Sequence, residues 1–176
     1  QHFIQSAKNR AAVRAKAAGV QAAEQPKLVV ITASSHTSMD WVDYYLQLFN
    51  AAGADAVWLP IEPALVQVGN CDSLDEDRFR WNGQYKRAAR YPELAAYQQK
   101  MCRQPDLMKQ LLASADAIFI NGGDQSLTMR SLQKKPGEFT ELARLLHQRI
   151  EDGVPLAGSS AGTAVQSRKQ GTKIPM

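Results

Sequence analysis

The chain has 176 residues, enough for one domain or a large part of one and too few for a second. Hydrophobic residues make up 44% and charged residues 22%, which supports a buried core and excludes global disorder. Lysine and arginine outnumber the acids 21 to 17, but the excess is scattered, so nucleic acid is not an expected partner.

In chain order, Phe3 to about Ala23 is rich in Ala, Lys, Arg and Gln and predicts a helix with a weak apolar stripe, ended by Pro26. Leu28 to Ala33 is short, apolar and β-branched, the mark of a strand buried on both faces. A polar turn, Ser34 to Ser38, leads to a helix from Met39 to about Ala52, with Gly53 as its stop. Ala56 to Pro60 is the next strand. From Ile61 to Pro105 the periodicity dissolves, except for a helix near Pro92 to Met101, and the stretch reads as an insertion or long excursion. Order returns with a helix from Asp106 to Ala113 and the strand Ala117 to Ile120. The turn Asn121 to Gln125, a helix over Ser126 to Leu132 and a helix from Gly137 to Asp152 follow. Val154 to Ala157 is a last short strand running into Gly158-Ser159-Ser160-Ala161-Gly162. Strands alternating with helices predict an α/β fold with a mainly parallel sheet, a three-layer sandwich. The turns after its strands then share one edge, where ligands bind in open α/β folds.

Two of those turns carry chemistry. Gly158-x-Ser160-x-Gly162 between strand and helix has the form of a nucleophile elbow, in which a strained central residue presents its hydroxyl. The plain alternative is a Ser/Gly-rich helix cap. Gly122-Gly123-Asp124-Gln125 lets the backbone approach a ligand, so that the Gly123 and Ala161 amides could form an oxyanion hole. Asp124 and Gln125 would then face a substrate; the plain alternative is a tight turn with an Asp cap.

Taken in order, Ile118-Phe119-Ile120-Asn121-Gly122-Gly123-Asp124-Gln125 and Ala157-Gly158-Ser159-Ser160-Ala161-Gly162-Thr163-Ala164-Val165 resemble the cyanophycinase and dipeptidase E serine peptidases. Relatives of these enzymes share the class I glutamine amidotransferase-like, flavodoxin-like fold. The family elbow usually reads Gly-Thr-Ser-Ala-Gly-Ala; here Ser159 and Thr163 stand at the flanks. The run Val29 to Ser35 also resembles the family's first strand and turn, and the likeness spans Leu28 to Met176 apart from the excursion. The resemblance implies peptide hydrolysis by Ser160 through an acyl-enzyme. It further implies that Gln125 holds substrate, and that an aspartate polymer carrying arginine side chains, cleaved to β-aspartyl dipeptides, is a candidate substrate.

A serine nucleophile needs a base and an orienting acid. His147 falls on a helix aimed at the wrong edge, and His2 only echoes a family run. His36, with Ser35 beside it, lies in a turn on the correct edge, as a site neighbour or simply a turn histidine. The base and acid are therefore expected beyond Met176, the alternative being a domain that has lost its chemistry, and an upstream segment is expected before Gln1. Cys71 and Cys102 are either two thiols or one bridge, which would imply an oxidising compartment.

No apolar run approaches a membrane span, and no cofactor or metal is called for. A homodimer, and a secreted or periplasmic bacterial setting rather than the cytoplasm, complete the expectations. Arg78, Arg80, Lys86, Arg87 and Arg90 alternate with Phe79, Trp81, Tyr85 and Tyr91, either as a lid or surface for an acidic polymer or as a solvated basic loop. The rival functions are an α/β ligand-binding domain that holds an anion on its turn amides and an amidotransferase-like amide hydrolase.

Overall fold

The computed structural model describes residues 1–82 and 86–166, so Tyr85 lies outside the described residues. Four strands form a parallel sheet: β1 (Lys27–Ile31), β2 (Asp55–Trp58), β3 (Ala117–Ile120) and β6 (Leu156–Gly158), in the order β2-β1-β3-β6. Register is tight: Val30 lies opposite Trp58 on one side and Phe119 on the other, and Ile120 opposite Gly158.

The strands are apolar throughout because both faces are covered. Val29, Ile31, Ile118 and Ile120 point to one layer, against Met108 and Leu112 of α7 (Pro105–Ala113) and Ala143 and Leu146 of α9 (Glu141–Glu151). Leu28, Val30, Ala117 and Phe119 point to the other, against Ile4 and Ala7 of α1 (His2–Ala18) and Phe49 of α2 (Val42–Ala51). This is the expected three-layer α/β sandwich of the flavodoxin-like kind. Each fully buried aliphatic side chain contributes about 1.5–3 kcal/mol, so the two clusters carry most of the stability.

The element boundaries correct the sequence reading in several places. Helix α1 stops at Ala18, not Ala23, because the N–H of Gly19, at φ 68°, bonds back to the Ala15 and Lys16 carbonyls. The helix expected from Met39 begins as a 3₁₀ turn over Ser38–Trp41 before α2. The first residues of the helix expected from Gly137 to Asp152 belong instead to a small hairpin of β4 (Gln133–Lys135) and β5 (Glu138–Phe139), with Gly137 at φ 82° between them. Helix α9 starts only after Thr140, whose hydroxyl accepts the Ala143 N–H at 3.1 Å.

The stretch from 61 to 105, where no regular pattern was expected beyond one helix, contains α3 (Pro63–Gln67), α4 (Leu74–Asn82), α5 (Arg87–Arg90) and α6 (Pro92–Arg103). Its periodicity is masked because its inner face is polar. Arg78 is 2% exposed and donates to Glu62 at 2.9 Å, to Gln98 at 2.6 Å and to Asp75. Gln98 in turn donates to Glu62 at 3.0 Å and to the Pro60 carbonyl at 3.2 Å. Arg78 is thus no part of an exposed lid. Arg87 pairs with Asp40 at 3.4 Å, and Arg90 lies 5.3 Å from the Tyr91 ring centre. Cys71 and Cys102 form a disulfide that ties the α3–α4 connection to α6. Substituting Met for Arg78 leaves the Glu62 carboxylate buried without its cation. The expected cost is about 3–5 kcal/mol, read as a lowered denaturant midpoint; replacing Glu62 with Leu as well should recover much of it.

Candidate active site

Since β1, β3 and β6 are parallel and adjacent, the turns that follow them meet at one edge of the sheet. Strand β6 ends at Gly158 and α10 (Ala161–Ala164) starts at Ala161, so two residues must redirect the chain. Ser160 does this at φ 46°, ψ −113°; among the described residues the only other non-glycine with positive φ is Lys86.

Close packing on both sides holds it there. A side chain on Gly162 would fall on the Ile120 carbonyl oxygen, and one on Gly158 would lie 2.5 Å from the Gly162 carbonyl carbon. The turn is laced by the Ser159 N–H to the Ile120 carbonyl at 3.2 Å and the Gly162 N–H to the Ser159 carbonyl at 2.8 Å. Two side chains brace it. The Thr163 hydroxyl donates to the Gly158 carbonyl at 2.8 Å, and Gln166 donates to the Gly162 carbonyl at 2.7 Å. Ser160 is exposed, and among the described residues no side chain hydrogen-bonds its hydroxyl.

The double-glycine turn lies against this corner. A Cβ on Gly122 would sit 3.2 Å from the Ser160 Cβ and equally close to the Ser159 carbonyl and hydroxyl oxygens. Gly123, at φ 143°, packs directly on the Ser34 carbonyl, where any side chain would collide. Among the described residues neither the Gly123 nor the Ala161 N–H donates to a protein acceptor. Two unpaired donors on adjoining turns beside an exposed hydroxyl can stabilise negative charge developing on a reacting carbonyl oxygen.

The remaining expected residues are placed as follows. Asp124 caps α8 (Gln125–Leu132), its Oδ1 accepting the Ser126 N–H at 2.7 Å. Hydrogen bonds from Ser126, the backbone amide first and then the side chain, hold its carboxyl below the ordinary value, with lesser help from the charges of His36 and Arg130. Gln125 is exposed at the first residue of α8. Ser35 is largely buried and hydrogen-bonds Thr37 at 3.1 Å, so its hydroxyl serves the turn. His36 is exposed, with Nε2 3.9 Å from the Asp124 carboxylate. His147 lies one turn from the far end of α9, 3.8 Å from Glu151, and His2 opens α1. Among the described residues no group of three or more His, Cys, Asp and Glu is arranged to hold a metal ion.

No role in the site is assigned from the sequence to Asn121, Thr163 or Gln166. The only available signal for Asn121 was a polar residue directly behind a four-residue apolar strand. For Thr163 it was a hydroxyl one position past the last elbow glycine.

Residues 97–174 match peptidase family S51. This is a family of serine peptidases, that of cyanophycinase and dipeptidase E, so the match agrees with the likeness of the two turns. The S51 stretch takes in the latter part of α6, then α7, β3, the double-glycine turn, α8, α9 and the elbow; the Ser34–Ser38 turn lies outside it. No curated protein matches the chain.

Two outcomes are expected. Gly162→Ala should lower stability by about 3 kcal/mol, since its methyl meets backbone. Gly153→Ala, left-handed at φ 84° but facing open space, should cost about 1 kcal/mol; chemical denaturation compares the two. Asp124→Ala should remove about 1 kcal/mol of capping near neutral pH. Because the folded carboxyl titrates below its unfolded value, the cap's contribution is complete above the unfolded value. It is lost as pH falls through the folded one, so the stability curves of mutant and wild type should converge in acid.

Proposed function

We propose that this protein is a serine hydrolase of aspartate-containing peptides, with Ser160 as nucleophile. The observation that carries the reading is the exposed Ser160 hydroxyl at a left-handed corner, next to two turn amides with no protein acceptor among the described residues. The S51 match supports it.

In the proposed reaction the Ser160 oxygen bonds to the scissile carbonyl carbon, and its proton passes through a base to the departing amine. The carbonyl oxygen, negative in the tetrahedral intermediate, rests on the Gly123 and Ala161 amides. The C–N bond breaks to leave an ester on Ser160. Water then gives its proton to the same base and bonds to the acyl carbon. The ester C–O bond breaks as the base returns that proton to the Ser160 oxygen, which releases the acid. Gln125 and Asp124, which open α8 beside the double-glycine turn, face the substrate, with His36 and Ser35 at the rim. An aspartate polymer bearing arginine is the substrate class this reading favours, an exopeptidase mode the manner of cleavage. In this reading the base and its orienting acid are taken from beyond the described residues, among which no histidine hydrogen-bonds Ser160.

A second reading rests on the two turn amides alone, which have no protein acceptor among the described residues: a domain that uses them to hold a carboxylate or phosphate without chemistry. A fluorophosphonate probe separates the two. Under the peptidase reading the probe labels Ser160, the full chain releases dipeptides from aspartyl peptides as read by mass spectrometry, and Ser160→Ala lowers release by at least about 10³-fold. Unlabelled Ser160 with retained anion binding would establish the binding domain, and full activity of Ser160→Ala would remove this serine from the mechanism.

A further inference from the structure

The peptidase reading needs the Gly123 amide to hold a fixed direction, yet Gly123 belongs to the residue type with the most backbone freedom, at φ 143°. Something outside the turn must supply the rigidity. The atoms that meet there answer which group does so.

Asn121 stands directly behind β3 and is 1% exposed. Its backbone N–H continues the sheet to the Ile31 carbonyl at 2.9 Å, while its side-chain Oδ1 accepts the Ser34 N–H at 3.1 Å. Ser34 is fully buried, and its carbonyl is the surface on which Gly123 rests and the acceptor for the Asp124 N–H at 2.6 Å. Its hydroxyl meets the Thr128 hydroxyl at 2.5 Å in the interior of α8. The carbonyl of Asn121 itself lies 2.6 Å from where a Gly162 side chain would project. One buried residue therefore touches all three turns, through its backbone on the elbow side and its side chain on the Ser34 side.

We infer that Asn121 is a positioning residue for the proposed reaction. By fixing the Ser34 peptide it fixes the carbonyl on which Gly123 is seated, and so the direction of the Gly123 N–H. This inference rests on the assignment of Ser160 and Gly123 made above. It differs from a general structural role because the opposite end of β3 carries a matching bond. There buried Asp116, directly before the strand, accepts the Lys27 N–H at 2.9 Å, with Arg14 at 2.8 Å, at the edge away from the site. Each side chain accepts a backbone amide at its own end of β1, Asp116 that of the first residue Lys27 and Asn121 that of Ser34 in the turn after the strand, and only Asn121 touches the catalytic turns.

The test compares Asn121→Ala with Asp116→Ala in the full chain. Both should lose stability. Only Asn121→Ala should slow the maximal rate of fluorophosphonate labelling, by about 10- to 100-fold, with the probe's apparent affinity unchanged. Asn121→Asp, which keeps an acceptor oxygen facing Ser34, should restore most of the rate, and Asn121→Ser is the milder variant should the alanine form fail to fold. Labelling of Asn121→Ala, or of the serine form in its place, at the level of Asp116→Ala would overturn the inference. If the wild-type chain is not labelled, the peptidase reading falls, and amide exchange still decides the clasp. Exchange at the Asp124 N–H should then quicken in the Asn121 variants and not in Asp116→Ala; unchanged protection in the former would refute the positioning role.

Discussion

The close approach of Gly162 to the Ile120 carbonyl is the contact from which the rest of the site follows. Packing α10 onto the end of β3 without an intervening side chain leaves the chain no room for a gradual turn, and Ser160 takes the left-handed strain. A conformation of this kind costs of order 1–3 kcal/mol and persists only where its surroundings over-determine it. Here they do so through the Thr163 and Gln166 side chains, the Ser159 amide and the sheet pairing of Gly158 with Ile120.

The site is also tied to the helices between β2 and β3. Ser38, at the close of the first turn, donates to Glu62 at 3.1 Å, and Glu62 is the acceptor at the centre of the buried Arg78–Gln98 group. Charges removed from water are costly unless they are paired and hydrogen-bonded, and Glu62 here accepts three bonds, from Ser38, Arg78 and Gln98. Directional bonds of this kind set the orientation of α4 and α6 more sharply than apolar contact does, and the Cys71–Cys102 bridge closes the same region covalently. A polar keystone under helices α3 to α6 and a glycine contact under the elbow thus bear on one edge of the sheet from two directions.

Apolar strands and helix caps were readable from residue order because they are local. Ala117–Ile120 emerged with its boundaries intact, since four buried residues lie between a buried Asp and a polar turn. The stretch around α4 was not readable, because its inward residue is Arg78, and a charged residue facing inward inverts the pattern by which helices are recognised. The segment at Gly137 misled for a related reason. Phe139 and Leu142 fit a helical spacing, but Phe139 belongs to the hairpin, where it pairs with Gln133.

Residue order by itself determined the alternation of strands and helices, the parallel sheet that follows from it, and the two glycine-rich turns with Ser160 between its flanking glycines. Each of these depends on side-chain size, branching or hydrophobicity within a few neighbouring positions. Only the tertiary structure decided that Gly122 lies against Ser160, that Asn121 seats the Ser34 peptide, that Arg78 is buried and that Cys71 reaches Cys102. Those facts join residues 16 to 87 positions apart, and contact across such separations is set by how the layers pack, which no local pattern encodes.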